Sequence, residues 1–150
     1  MKFLVPSAAI FLAGSLAFAQ TADRPKAISL VKEGVALAKS GGKDALFKQI
    51  SFGGGKFHVG PGRPLYLFVY DMTGKCLAHG SISNFIGTNR LAVKDPDGKA
   101  YVAEMVKVGR ESGKGWVDYK FLNPADGKVE PKTSYFEVFD DFLVCCGIYK

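Results

Sequence analysis

The chemically active side chains of this 150-residue chain are few, and their spacing already restricts what they can do. Cys76 and His79 are the obvious pair for a thiol nucleophile and its base. Three positions apart on a strand, however, they point to opposite faces and would meet only across a bulge. Metal chemistry is poorly supplied. There are two histidines, His58 and His79, and Cys76-Leu77-Ala78-His79 lacks the second cysteine of a haem-attachment motif. No GxSxG, HExxH or phosphate loop is present. These absences point away from catalysis and from a cofactor, and towards binding. A small anion needs a fixed positive charge, a few oriented donors and walls that exclude water. Tyrosines, Trp116, loop asparagines (Asn84, Asn89) and lysines are available for that. Lys132, read by itself, is a surface lysine at the start of a strand.

The elements that would hold these residues follow from periodicity and turn chemistry. Residues 25–39 read as a helix, with Pro25 at its first position and Ile28, Val31, Val35 and Ala38 at helical spacing. Ser40-Gly41-Gly42 ends it, and residues 44–50 form a short second helix that turns Leu46, Phe47 and Ile50 inward. A glycine-rich loop follows through Gly62. From Leu65 the pattern changes to strand. Residues 65–70 and 76–79 make a hairpin about the turn Asp71-Met72-Thr73-Gly74-Lys75. After the turn Asp95-Pro96-Asp97-Gly98, the positions Tyr101, Val102, Met105, Val106 and Val108 suit a helix that ends between Gly109 and Gly113. Strands are predicted over 115–121, 132–138 and 142–149, with connections short enough for antiparallel neighbours. The sum is an α+β domain in which a five-stranded antiparallel sheet carries a long N-terminal helix. Strand parity places Val117, Tyr119 and Phe121 on one face and Trp116, Asp118 and Lys120 on the other. Tyr66, Phe68 and Tyr70 share a face in the same way, whereas Tyr135 need not face the same way as Lys132.

Composition fits a single globular domain, with 47% hydrophobic and 23% charged residues. The net charge of +6 comes from lysines and arginines spread along the chain, which does not indicate a nucleic-acid surface. Residues 1–19 read as a signal peptide. A basic start is followed by an apolar stretch, interrupted by Pro6 and Gly14, and by Ala17-Phe18-Ala19 before Gln20. Residues 20–150 are then the mature domain, expected in the periplasm or outside the cell. Its three cysteines cannot all pair within one chain; Cys76 could bridge Cys145 or Cys146, or all three could stay reduced.

Three stretches carry a family resemblance: YLFVYDMTGKCLAHG, then IGTNRLAVKDPDGKAYVAEMV, then GWVDYKFLNPADGKVEPKTSYFEVFDDFLVCCGIYK. In that order they resemble the single Cache domain, type 2, over residues 65–150, and the helix before them fits as well. The resemblance implies a PAS-like extracytoplasmic sensor fold that binds a small organic acid or related metabolite on one face of its sheet, without catalysis. It makes Lys132, in PKTSY, the partner of a ligand carboxylate, and His79, in AHG, a position where the family often carries histidine. Tyr119, Trp116, Tyr66, Tyr135 and Asn84 complete the expected binding set. Such domains usually sit between two membrane helices of a chemoreceptor or sensor kinase. With no second membrane helix or output domain in this sequence, a free-standing binding protein is expected, with a membrane receptor or sensor kinase as a possible partner. The alternative is a protein-interaction module that partners a receptor and holds no ligand. An acid of about six heavy atoms gains at most ~9 kcal/mol, which corresponds to micromolar binding or slightly better.

Overall fold

Ala27, Val31, Val35 and Ala38 recur every three or four residues and are buried, so one stripe of the first helix faces the sheet. In the computed structural model, which describes residues 14–150 and the side chains from Asp23 onward, this helix is α1, Gly14–Gly41. It starts earlier than the predicted 25–39 and passes through Pro25, a residue that costs one ladder bond without ending the helix here. The expected signal peptide lies outside the described residues up to position 13, and α1 runs through the expected cleavage point. No helix among the described residues is long and apolar enough to cross a membrane. α2, Lys43–Ser51, follows at once and buries Leu46 and Ile50.

Five strands form one sheet: β1 Leu67–Asp71, β2 Cys76–His79, β3 Lys114–Leu122, β4 Val129–Phe139 and β5 Phe142–Tyr149. Their order is β2-β1-β5-β4-β3, and every pairing is antiparallel. Alternation along the strands divides the buried residues into two layers. Leu67, Val69, Tyr135, Val144, Cys146 and Ile148 pack under α1 and α2, together with Trp116. Tyr66, Phe68, Tyr70, Val117, Tyr119, Phe136, Leu143 and Cys145 form the other layer.

That second face is covered by residues 81–100 and by α3, Tyr101–Ser112, which buries Tyr101, Val102, Met105, Val106 and Gly109. Gly113, at φ 74°, closes α3 in the left-handed conformation that suits glycine. The covering strap is tied to both edges of the sheet. On β2, Gly87 N–H donates to Cys76 O at 2.8 Å, and Cys76 N–H donates to Thr88 O at 2.9 Å. On β3, Lys120 N–H donates to Asp95 Oδ2 at 2.9 Å. Asp95 Oδ1 also accepts from the backbone of Asp97 and Lys99, so the predicted Asp95–Gly98 turn serves as a clasp for an edge strand.

All three cysteines are free and buried. Cys146 faces α1, whereas Cys76 and Cys145 face the strap. Cys76 on β2 and Cys145 on β5 have β1 between them, so two strand spacings, about 9.6 Å, exceed the roughly 7 Å that a disulfide spans.

Candidate functional site

Lys132 is 1% exposed, which is unusual for a lysine. β4 aims it at the strap side of the sheet, where its register partners are Tyr119 on β3 and Tyr149 on β5. Nζ donates to the Tyr66 hydroxyl at 3.0 Å. Around it stand ring faces at 4.5 Å (Phe121), 4.9 Å (Tyr66), 5.0 Å (Tyr149) and 5.2 Å (Phe68). These contacts favour a cation through the negative face of each ring. No carboxylate pairs with Lys132 among the described residues; the ion pairs there use Lys26, Lys56, Lys99, Lys120 and Lys150. The result is a buried ammonium with one phenol hydroxyl as its hydrogen-bond acceptor.

The path of the lysine chain depends on a glycine. A Cβ added at Gly147 would lie 2.0 Å from Lys132 Cε and 2.6 Å from Ser134 Oγ. Gly147 is therefore the gap in β5 through which the lysine reaches its ring cage. Gly147→Ala is expected to fold, because the backbone there is ordinary strand, and to push the ammonium out of place. Overpacking of about 1–3 kcal/mol should lower the melting temperature by several degrees, and binding of a carboxylate should fall about tenfold. Calorimetry on the variant checks this, and wild-type affinity would show that Lys132 has room to move.

His79, at 2% exposure, is the second buried polar group on this face. Its Nδ1 accepts the backbone N–H groups of Ile82 at 2.9 Å and Ser81 at 3.2 Å, which leaves the proton on Nε2. Burial, and then the nearby charges of Lys132 and Arg90, push its pKa down to about 3. The ring is stacked on Phe68 at 5.6 Å and meets Phe85 edge-on at 5.3 Å. His79 is thus a neutral ring with an Nε2–H donor on the same face as Lys132.

A bulge between Val69 and Tyr70 shifts the β1–β2 register, pairing Tyr70 with Cys76. Cys76 therefore emerges on the same face as His79, contrary to simple parity. They still do not form a catalytic pair. The thiol donates to Ala78 O at 3.5 Å, the free nitrogen of His79 is taken by backbone, and burial pushes Cys76 up to about 11.

Tyr119 lies on the predicted face, with its hydroxyl 2.8 Å from Ser134 Oγ and its ring stacked 4.4 Å from Tyr101. Tyr66 reaches Lys132, as described. Trp116 and Tyr135 do not join them, because both belong to the opposite parity and pack 5.3 Å apart under α1. Arg24 lies over Trp116 at 4.4 Å, and the Tyr135 hydroxyl donates to Glu137 at 2.6 Å. Asn84 is exposed on a single 3₁₀ turn, Ser83–Phe85, and the neighbouring Phe85 is the residue that packs inward. Asn89 is a turn residue that donates to Thr73 O and accepts from Leu91 N. Phe85, Phe121, Tyr149, Gly147 and Arg90 were not in the predicted set. Parity had already placed Phe121 beside Tyr119, but the other four depend on register or loop path.

Two clefts approach this end of the sheet. One of about 280 Å³ lies at the β3–β4 edge and includes Tyr119 and Lys132 in its lining, with Lys99, Lys120 and Lys150 at its mouth. A larger one, about 620 Å³, lies between residues 59–65 and the turn at Asn123, and it does not include Lys132. The smaller cleft is the one that reaches the buried ammonium, and its rim mixes Asp95, Asp97 and Asp118 with the lysines, of which Lys99, Lys120 and Lys150 pair with Glu104, Asp97 and Asp118.

Comparison with known proteins agrees with this architecture. The family described as Single Cache domain 2 matches residues 43–150. The sensor histidine kinase MctS of Rhizobium johnstonii is 33% identical over 90 residues, 59% of this chain and 19% of that protein. The chain thus spans about a fifth of the length of this curated relative. Among solved structures, a periplasmic sensor domain of a chemotaxis protein superposes with a TM-score of 0.70 at 24% identity, covering 91% of this chain and 99% of that one. A Cache chemosensory domain described as recognising carboxylic acids superposes with a TM-score of 0.60 at 23% identity, covering 90% of each chain. At those identities the two likenesses speak for the fold. The match over residues 43–150 and the PAS-like five-stranded sheet place this chain in the single Cache domain family, type 2, whose relatives here are sensor domains of chemotaxis receptors and histidine kinases.

Proposed function

We propose that the chain is an extracytoplasmic domain that binds a small organic acid, with the ligand carboxylate on Lys132 and the domain itself acting as a free-standing binding protein. The observation that carries this reading is the ammonium of Lys132, buried at 1% exposure among rings with no carboxylate partner among the described residues. Burying an unpaired charge costs several kcal/mol, and an incoming carboxylate recovers part of that through a charge-assisted hydrogen bond worth roughly 1.5–3 kcal/mol. Tyr66 orients the ammonium, His79 supplies a neutral donor and the ring faces exclude water. Mono- and dicarboxylic acids of a few carbons suit a cleft of this size. The structural relative described as recognising carboxylic acids supports the same chemistry. Residues 1–19 are read as a removable export signal, so protein recovered from the periplasm or medium of an expressing bacterium should begin at Gln20.

A thermal-shift panel of short carboxylates, amino acids and their uncharged amides tests the reading. A ligand at a hundred times its Kd adds about 2.7 kcal/mol to stability, which should raise the melting temperature by roughly 5–10 °C. Acids should act where their amides do not. A flat response across the panel would overturn the acid-binding reading in favour of a receptor-partner module without a ligand.

A further inference from the structure

We propose that the helix layer of this domain docks on an anionic phospholipid bilayer, with the exposed ring of Phe52 among the headgroups and nearby lysines against the phosphates. The two sides of the sheet do not share the net charge. Residues 23–63, which make α1, α2 and the glycine-rich loop, hold eight lysines and arginines and three acids, a net charge of +5. Residues 64–150, which make the sheet, the strap and α3, hold eleven of each and are neutral. Apart from Lys2, the positive balance of the chain therefore belongs to the helix side. Two cations there are paired, Lys26 with Asp23 at 3.2 Å and Lys56 with Glu33 at 2.8 Å. Lys32, Lys39, Lys43 and Lys48 are exposed, and no carboxylate pairs with them among the described residues. The surface thus offers several free ammonium groups and no acidic counterpart of similar number.

Phe52 stands on this side at 68% exposure, the highest of any large hydrophobic side chain among the described residues. One exposed phenylalanine is ordinary on a protein surface; the way this one is held is not. Its N–H donates to Lys48 O at 3.1 Å, and its carbonyl accepts from Gly55 N–H at 2.8 Å. Further on, Lys56 N–H donates to Gln49 Oε1 at 2.9 Å and Phe57 N–H donates to Gln49 O at 3.0 Å. The turn is pinned at both ends, with Phe57 in the core and Phe52 in water. A Cβ added at Gly53 or Gly54 would meet nothing within 4 Å, so the tip beside the ring is clear. A ring held out between Lys48 and Lys56 suits the bilayer interface, where aromatic groups enter the headgroup region and long lysine chains reach the phosphates. A protein partner fits less well, because docked proteins bury a contiguous apolar centre. The other exposed large hydrophobics lie elsewhere, Ile86 and Leu91 on the strap side and Leu122 and Val129 beside the β3–β4 turn. The proposal does not depend on the acid site.

Co-sedimentation tests this on the protein recovered from the periplasm, with vesicles of phosphatidylcholine alone and of phosphatidylcholine and phosphatidylglycerol in equal parts. Binding should be about tenfold tighter to the anionic vesicles or more. It should fall by a similar factor as NaCl rises from about 0.05 to about 0.5 M, because salt shortens the reach of surface charge. Lys43→Gln combined with Lys48→Gln should weaken binding about twentyfold, at roughly fivefold per lost charge. Phe52→Ser should weaken it severalfold and leave the salt dependence in place. Phe52→Trp should gain an emission that shifts to the blue on anionic vesicles, whereas Trp116 in the wild type should not shift. These side chains are exposed, so the melting temperatures of the variants should stay close to that of the wild type. Equal binding to both kinds of vesicle would overturn the proposal. So would binding to neither, which would leave the basic face to an acidic protein. Anionic binding that survives the double lysine variant, or an added indole that does not shift, would overturn it as well. If the double variant does not fold, the salt dependence and Phe52→Trp still decide.

Discussion

Lys132→Met is expected to abolish the stabilisation of this domain by carboxylates while leaving the ligand-free protein as stable as the wild type or more so. The two effects have one cause. In the free domain the lysine is buried at 1% exposure with a single phenol acceptor and no anion. Ring faces between 4.5 and 5.2 Å away offset part of its desolvation, at about 0.5–2 kcal/mol for the well-placed ones. Several kcal/mol are lost when an ammonium leaves water. Methionine keeps the unbranched chain that passes Gly147, fills the same volume and leaves no charge to desolvate. Replacing buried ions by apolar groups of similar shape is commonly neutral or stabilising by about 1–4 kcal/mol. The carboxylate contact is lost with the charge, which should weaken acid binding about ten- to a hundredfold. Urea unfolding of the free proteins and calorimetry with the best acid of the panel measure the two effects separately. A variant that is several kcal/mol less stable would mean that the lysine is a structural strut; one that binds acids as the wild type does would remove Lys132 from the site.

The sequence made the scaffold legible because periodicity and turn chemistry act over short distances. The helix stripe at Val31, Val35 and Ala38, the Asp71–Lys75 hairpin and the closing strands are all present. Parity along β3 correctly grouped Tyr119 with Phe121, and the same rule separates Lys132 from Tyr135, which lies three residues on and packs under α1. Trp116, within GWVDY, belongs to the binding set that the resemblance implies, but its parity with Asp118 sends it to the helix face. What lay beyond the sequence was register and path. Lys132 meets Tyr149 and the gap at Gly147 because β4 and β5 pair with that offset, which no local pattern encodes. A bulge, which adds a residue without a composition signal, brought Cys76 round to the side of His79. Phe85 and Arg90 sit in an irregular strap where there is no period to read, so the exposed Asn84 attracted notice instead of its buried neighbour.

His79 should make the domain lose stability as the solution is acidified through the range in which histidine usually titrates. In the unfolded chain its pKa is near 6.5, whereas in the folded domain burial and the charges of Lys132 and Arg90 hold it at about 3. Between those values the unfolded state binds a proton that the folded state refuses, so stability is complete above pH 6.5 and falls as pH drops towards 3. The slope approaches about 1.4 kcal/mol per pH unit, giving a loss of about 2 kcal/mol between pH 7 and pH 5. That window lies above the range of Asp71, Asp95 and Asp118, whose carboxyls are held below their ordinary value by hydrogen bonds and therefore lose their contribution at still lower pH. The structural cause is specific, since protonating Nδ1 would take the acceptor from the N–H groups of Ser81 and Ile82, where the strap begins. Asparagine can accept in the same place without titrating, so His79→Asn should flatten the profile between pH 5 and 7. Urea unfolding of both proteins across that range reads the difference directly, and parallel profiles would mean that the imidazole takes up its proton without leaving the fold. A bound acid supplies the anion that this face lacks and should make the wild-type profile shallower. The pH dependence of stability then becomes a second measure of ligand at Lys132, independent of any titration of heat.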